Sequence, residues 1–134
     1  MDLKTGYLIL ILFTFLTMDS IAQQKVSRRV LLSEKLASRP LSAVNATEII
    51  MEPFLKAGLH QHPCPVVGYV AEGTLLFQIK GEEAKTLKKG DVFYEPANTA
   101  ISHFDNASDQ PLKFIAFYLT NGEQQLIEML QDKK

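Results

Sequence analysis

From Asn45 to Thr120 the chain is cut at short, regular intervals by glycine, proline and asparagine, and this punctuation leaves no room for a long helix. The runs between the cuts are rich in Val, Ile, Phe, Tyr and Thr, side chains that suit a pleated, half-buried surface. They fall at residues 46–54 (ATEIIMEPF), 66–71 (VVGYVA), 74–80 (TLLFQIK), 84–87, 92–95, 99–104 and 111–119 (PLKFIAFYL). Glu72-Gly73, between VVGYVA and TLLFQIK, predicts a hairpin joining that pair. About seven short strands at such spacing predict an all-β, antiparallel sandwich or barrel.

The segments flanking this region differ from it. Residues 1–18 (MDLKTGYLILILFTFLTM) carry one lysine and then an apolar run, too short for the roughly 20 residues that span a bilayer. Ser20 and Ala22 supply the small residues of a cleavage site, so residues 1–22 are expected to be a signal peptide cleaved after Ala22. An uncleaved, tilted anchor is the alternative. Cleavage implies a periplasmic or secreted protein without a stable membrane anchor, in an oxidising compartment. Residues 23–43 are polar except for Val30-Leu31-Leu32 and read as an arm or edge strand, with the barrel expected over residues 44–120. Residues 121–134 (NGEQQLIEMLQDKK) predict a short C-terminal helix or tail with Leu126, Ile127 and Leu130 on one side.

Charge removes whole classes of function. With 14 basic and 15 acidic residues the net charge is −1, and no basic cluster offers phosphates a binding stripe, so no nucleic-acid partner is expected. One cysteine excludes an internal disulfide framework and a Cys-only zinc site within one chain. Lys89-Gly90-Asp91 is a turn between strands and no phosphate cradle, so no organic cofactor site is assigned.

The chemistry rests on three histidines. His60 and His62 stand two apart in a strand-like context, where period-two geometry puts both imidazoles on one face, about 6.6–6.8 Å apart along the backbone. His103, in a later strand, would complete a three-imidazole set with open positions for water or substrate. A chance surface pair is the alternative for His60 and His62.

Residues 58–73 (GLHQHPCPVVGYVAEG) and 90–106 (GDVFYEPANTAISHFDN) together resemble the two signature motifs of the cupin superfamily, in its small, secreted, single-domain bacterial form. The resemblance covers roughly residues 44–119. It implies a double-stranded β-helix, or jelly-roll barrel, and a homodimer, because small cupins commonly pair. It also implies one divalent transition metal held inside the barrel (Fe, Mn, Ni, Cu or Zn, not distinguished). Gly73, Gly90 and Pro96 keep the motif spacing. Val66 stands where the family places a Glu, and Ile101 where the second motif places a His. His60 and His62 transfer directly, and His103, two residues beyond Ile101, is expected on the same side, as a replacement ligand or as lining of the barrel mouth.

Two further residues are candidates. Cys64, within His-Pro-Cys-Pro, is a buried filler, a soft ligand or an intermolecular disulfide partner. Glu95, before Pro96, is a ligand, a general base or a solvated edge residue. The resemblance implies a metal-dependent enzyme of oxygenase, isomerase or decarboxylase type acting on a small organic molecule, with no catalytic residue assigned. The alternatives are a non-catalytic small-ligand or metal-binding module with a degenerate site, or a structural barrel.

Overall fold

In the computed structural model, residues 26–122 and 125–131 are described, and the expected signal peptide lies outside the described residues. Nine strands follow in order: β1 (Ala43–Met51), β2 (His60–Gln61), β3 (Val66–Glu72), β4 (Thr74–Ile79), β5 (Lys85–Lys88), β6 (Val92–Glu95), β7 (Ile101–Asn106), β8 (Leu112–Thr120) and β9 (Glu128–Met129). They form two antiparallel sheets, ordered β1-β8-β3-β6 and β5-β4-β7-β2-β9, and chain neighbours mostly lie in opposite sheets. This is the jelly-roll arrangement that the cupin resemblance implies, within the sandwich or barrel expected from the punctuation.

Alternation builds the core. Val66 and Val70 of β3, Phe93 of β6, and Leu112, Phe114 and Ala116 of β8 face inward from one sheet. Leu75 and Phe77 of β4 and Ile101 and Phe104 of β7 meet them from the other. Phe93, Phe104 and Phe114 pack ring against ring with centroids 5.0–5.8 Å apart, tilted or edge-on as the ring quadrupole favours. Gly68 makes this possible, because a Cβ there would lie 1.9 Å from the Phe93 ring.

Three expectations are corrected. The stretch around Glu72-Gly73 is not a hairpin: β3 pairs with β6 and β8, whereas β4 pairs with β5 and β7. Gly73 alone separates the strands, too few residues for a hairpin turn, and its φ of 86° turns the chain from one sheet into the other. No helix is found among the described residues of the C-terminal segment. Residues 128 and 129 instead pair with β2, and Leu130 N–H donates to the Leu59 carbonyl at 2.9 Å. The unpaired edge of two-residue β2 offers backbone partners that a short isolated helix cannot match, since helix nucleation is unfavourable. The third correction concerns the outward turn of His103 and is taken up with the site.

Residues 26–42 form no strand. Leu32 is half-buried in a groove with Phe77, Leu87 and Val92, and the Arg39 guanidinium donates to the Pro63 carbonyl at 2.9 Å. The edge strand proper begins at Ala43. Across the barrel, the buried amide of Asn106 donates to the carbonyls of Met51, Glu52 and Gln110 and accepts from Ser108, tying the chain after β1 to the β7–β8 turn.

Candidate metal centre

His60 and His62 flank Gln61 at the short β2, and both imidazoles enter the barrel, 2% and 5% exposed. Their ring centroids are 5.2 Å apart and nearly perpendicular. Backbone carbonyls fix both tautomers. His60 Nδ1–H donates to the Gly58 carbonyl at 2.7 Å, and His62 Nδ1–H donates to the Leu126 carbonyl. A carbonyl only accepts, so each neutral ring carries its proton on Nδ1 and leaves a lone pair on Nε2.

The carboxylate facing those lone pairs comes from Glu95. Its Oε2 lies 2.8 Å from His62 Nε2 and 3.9 Å from His60 Nε2, and the side chain is 2% exposed. Of the three readings of Glu95, the solvated edge residue is therefore excluded. The register explains its position: Glu95 of β6 stands directly opposite Val66 of β3. Directly opposed residues share a face, so the carboxylate that the motif would place at Val66 arrives from the adjacent strand. Tyr118 of β8 opposes Val66 from the other side, giving an inward row Glu95–Val66–Tyr118.

His60, His62 and Glu95 offer ligand atoms within 4.8 Å of one another, and they are the cluster of this kind among the described residues. All three atoms are acceptors. Glu95 Oε2 is buried against His62 Nε2, and while that ring is neutral no donor faces either atom. Three buried acceptors converging without a donor call for a cation or a proton. The proton's pull is visible in His62. Burial pushes its pKa down, but the Glu95 carboxylate and the Leu126 carbonyl outweigh burial and hold it above 6.5. Two imidazoles and one carboxylate, with their second nitrogens anchored on carbonyls, also suit a divalent transition metal.

His103 is not brought to this cluster. Its side chain is 44% exposed, and Nδ1 pairs with Asp105 Oδ2 at 2.8 Å. A bulge is the cause. Gln78 pairs with His103 and Ile79 with Ile101, so Ser102 is an extra residue on β7. The extra residue reverses alternation, putting Ile101 and Phe104 inside and His103 outside. Ile101 is fully buried opposite His60, so the position of the second-motif His is filled by a hydrocarbon. Cys64 is fully buried beyond His62 and outside the cluster.

Beside the triad lies a cavity of about 320 Å³. Its walls include the inner phenylalanines, Met51 and Ala116, and its polar lining is the triad and Tyr118. Ile50, Leu55 and Ile127, each roughly half exposed, are apolar lining at its solvent side. The Tyr118 ring stands edge-on to His62 at 5.6 Å. Burial first, then the Glu95 carboxylate and Cys64, push its phenol above the ordinary value of 10.0.

The cupin domain family model matches residues 47–118, more than half of the chain. Solved structures of similar fold include a cupin-like protein from Thermotoga maritima, 28% identical, with 65% of this chain and 64% of that one covered at a TM-score of 0.55. The DMSP lyase DddQ from Ruegeria pomeroyi is 20% identical, with 64% and 42% covered and a TM-score of 0.57. Oxalate decarboxylase from Bacillus subtilis, described with Mn(II) centres, is 23% identical, with 65% and 24% covered and a TM-score of 0.53. The chain spans less than two thirds of the length of each. A search of curated proteins finds no match.

Proposed function

Because the chain belongs to the cupin family, we propose that His60, His62 and Glu95 hold one divalent transition metal at which a small organic molecule is bound and transformed. The observation that carries this reading is the convergence of three buried acceptor atoms, with both imidazole N–H groups committed to carbonyls. A metal bound there supplies Lewis acidity or an oxygen-binding centre through the positions its protein ligands leave open. Oxygenase, isomerase and decarboxylase chemistry all fall within that range.

The chain's own groups have definite tasks. Gly58 and Leu126 hold the imidazoles in the ligating tautomer. Glu95 balances part of the cation's charge, as the carboxylate at Val66 would have done. Tyr118 remains protonated at neutral pH and can donate to an oxygen of the bound molecule. The phenylalanine wall keeps water from the reacting face, which strengthens electrostatic interactions inside.

A non-catalytic binding module is the second reading. It is favoured by a cavity lining that, among the described residues, holds no proton-transferring group besides the triad and Tyr118. On either reading we place the protein in the periplasm or outside the cell, with its leader removed near Ala22. Pairing of two copies is supported by Val44, Tyr69 and Phe117, exposed on the outer side of the four-stranded sheet.

Elemental analysis of protein purified without chelator tests the metal. About one transition metal per chain is expected, lost in the double variant His60→Ala/His62→Ala. A metal-free protein that takes up none of Fe²⁺, Mn²⁺, Ni²⁺, Cu²⁺ or Zn²⁺ would overturn the reading.

A further inference from the structure

The cavity beside the triad restricts what can occupy it. Among the described residues, Tyr118 is the one lining side chain outside the triad that bears a polar group, and they supply the lining no Lys, Arg, Asn, Gln, Ser or Thr. A charged or strongly polar group placed against this wall would lose its water and gain no partner, an expensive outcome. The solvent side is equally apolar, through Ile50, Leu55 and Ile127. Polarity is concentrated at one end of the space.

At that end the charges are countable. Two neutral imidazoles and one carboxylate around a divalent cation leave one net positive charge, which a single negative charge on the ligand neutralises. The Tyr118 hydroxyl has no hydrogen-bond partner among the described residues, while its ring stands edge-on to His62. Its row position places it beside Val66, across from Glu95. A donor so placed is available to an oxygen of whatever the site binds.

We propose that this site takes a small, largely hydrocarbon ligand with one monoanionic oxygen head, held by Tyr118, and no second charge. The assignment deepens the metal-binding reading and rests on it. It separates this site from one built for a small dianion, which would need a cationic side chain in the wall. Carboxylates and enolates share the required head, and the test separates them.

Protein expressed from the full sequence and loaded with Co²⁺ is titrated by calorimetry with hexanoate, acetylacetone and adipate, with the Co²⁺ absorption bands monitored in parallel. Hexanoate presents the carboxylate head and acetylacetone the enolate. Adipate repeats hexanoate with a second charge at its far end. At least one monoanion should bind and shift the Co²⁺ bands, and adipate should bind at least about tenfold more weakly than hexanoate if the carboxylate is the head. Tyr118→Phe should keep the Co²⁺ content and weaken the bound monoanion by about 3–10-fold, the loss of one hydrogen bond. Co²⁺ uptake with adipate bound as tightly as hexanoate, with neither monoanion bound, or with Tyr118→Phe unchanged in affinity, overturns the ligand assignment alone. Failure to take up Co²⁺ overturns the metal reading beneath it.

Discussion

Replacing Glu95 with glutamine separates the two tasks of its carboxylate, because the side chain keeps its shape and loses its charge. In metal-free protein the carboxylate holds a proton on His62, whose folded pKa stands above 6.5 although burial opposes it. A folded pKa above the unfolded one favours the folded state in acid. The contribution is therefore fully present below pH 6.5 and is lost as pH rises through the higher folded value. Glutamine reverses the situation at high pH. Its amide nitrogen can donate to the Nε2 lone pair of neutral His62 across the present 2.8 Å contact, where the wild type opposes acceptor to acceptor. A hydrogen bond to a charged group contributes about 1.5–3 kcal/mol and a neutral one about 0.5–1.5. Chelator-treated wild type should thus exceed Glu95→Gln by about 1–2 kcal/mol at pH 5.5 and lose or reverse that lead by pH 8.5. Co²⁺ affinity should move the other way from mere repacking, falling at least the roughly 10–100-fold that loss of an outer-shell partner costs. Urea unfolding across that pH range, paired with Co²⁺ titration, measures both. Parallel stability curves, or unchanged Co²⁺ affinity, would refute the argument.

Four other perturbations probe the frame around the site. A stop after residue 124 removes the Leu126 carbonyl and β9; the sheets should persist by circular dichroism while Co²⁺ affinity drops about 10–100-fold. Leu130→Pro, which deletes the donor to Leu59, should shift affinity in the same direction, and unchanged binding in both variants would show that the β9 segment does not hold His62. Gly68→Ala places a methyl 1.9 Å from the Phe93 ring and should cost about 1–3 kcal/mol in urea unfolding, relieved by adding Phe93→Leu; a neutral single variant would contradict the packing. Asn106→Asp turns a carboxylate oxygen toward the carbonyls of Met51, Glu52 and Gln110, so thermal unfolding should report a loss of about 3–5 kcal/mol, as for an uncompensated buried charge.

Strand positions were readable because turn residues and β-branched side chains act locally. β6 at Val92–Glu95 and the long β8 follow from composition and proline alone. Strand partnership was less readable. The Gly73 corner and a true hairpin share flanking composition, and only the single-residue gap tells them apart. The helical spacing of Leu126, Ile127 and Leu130 described a helix with nothing to support it, whereas the open edge of β2 is a tertiary fact. At the site, the His60–His62 pair follows from period two. Glu95 was visible as a candidate, but its burial depends on the β3–β6 register, which no local signal specifies. The cross-strand partner of Val66 was the clue that could have found it.

The two departures from the family motif have opposite outcomes for one geometric reason. Neighbouring strands lie about 4.8 Å apart, and directly opposed residues point to the same face. Moving a carboxylate from Val66 to Glu95 is a step across the sheet, and a flexible glutamate spans it while keeping its direction. Moving an imidazole from Ile101 to His103 is a step of about 6.6 Å along the strand, and it preserves direction only while alternation is unbroken. The extra residue at Ser102 breaks it, turning His103 toward Asp105 and solvent. A donor can thus migrate between adjacent strands and leave the centre intact, while the same donor displaced along one strand is lost wherever a bulge intervenes. What results is a cluster of three candidate ligands with a hydrocarbon, Ile101, beside His60, and that reduced polarity matches the apolar cavity it faces.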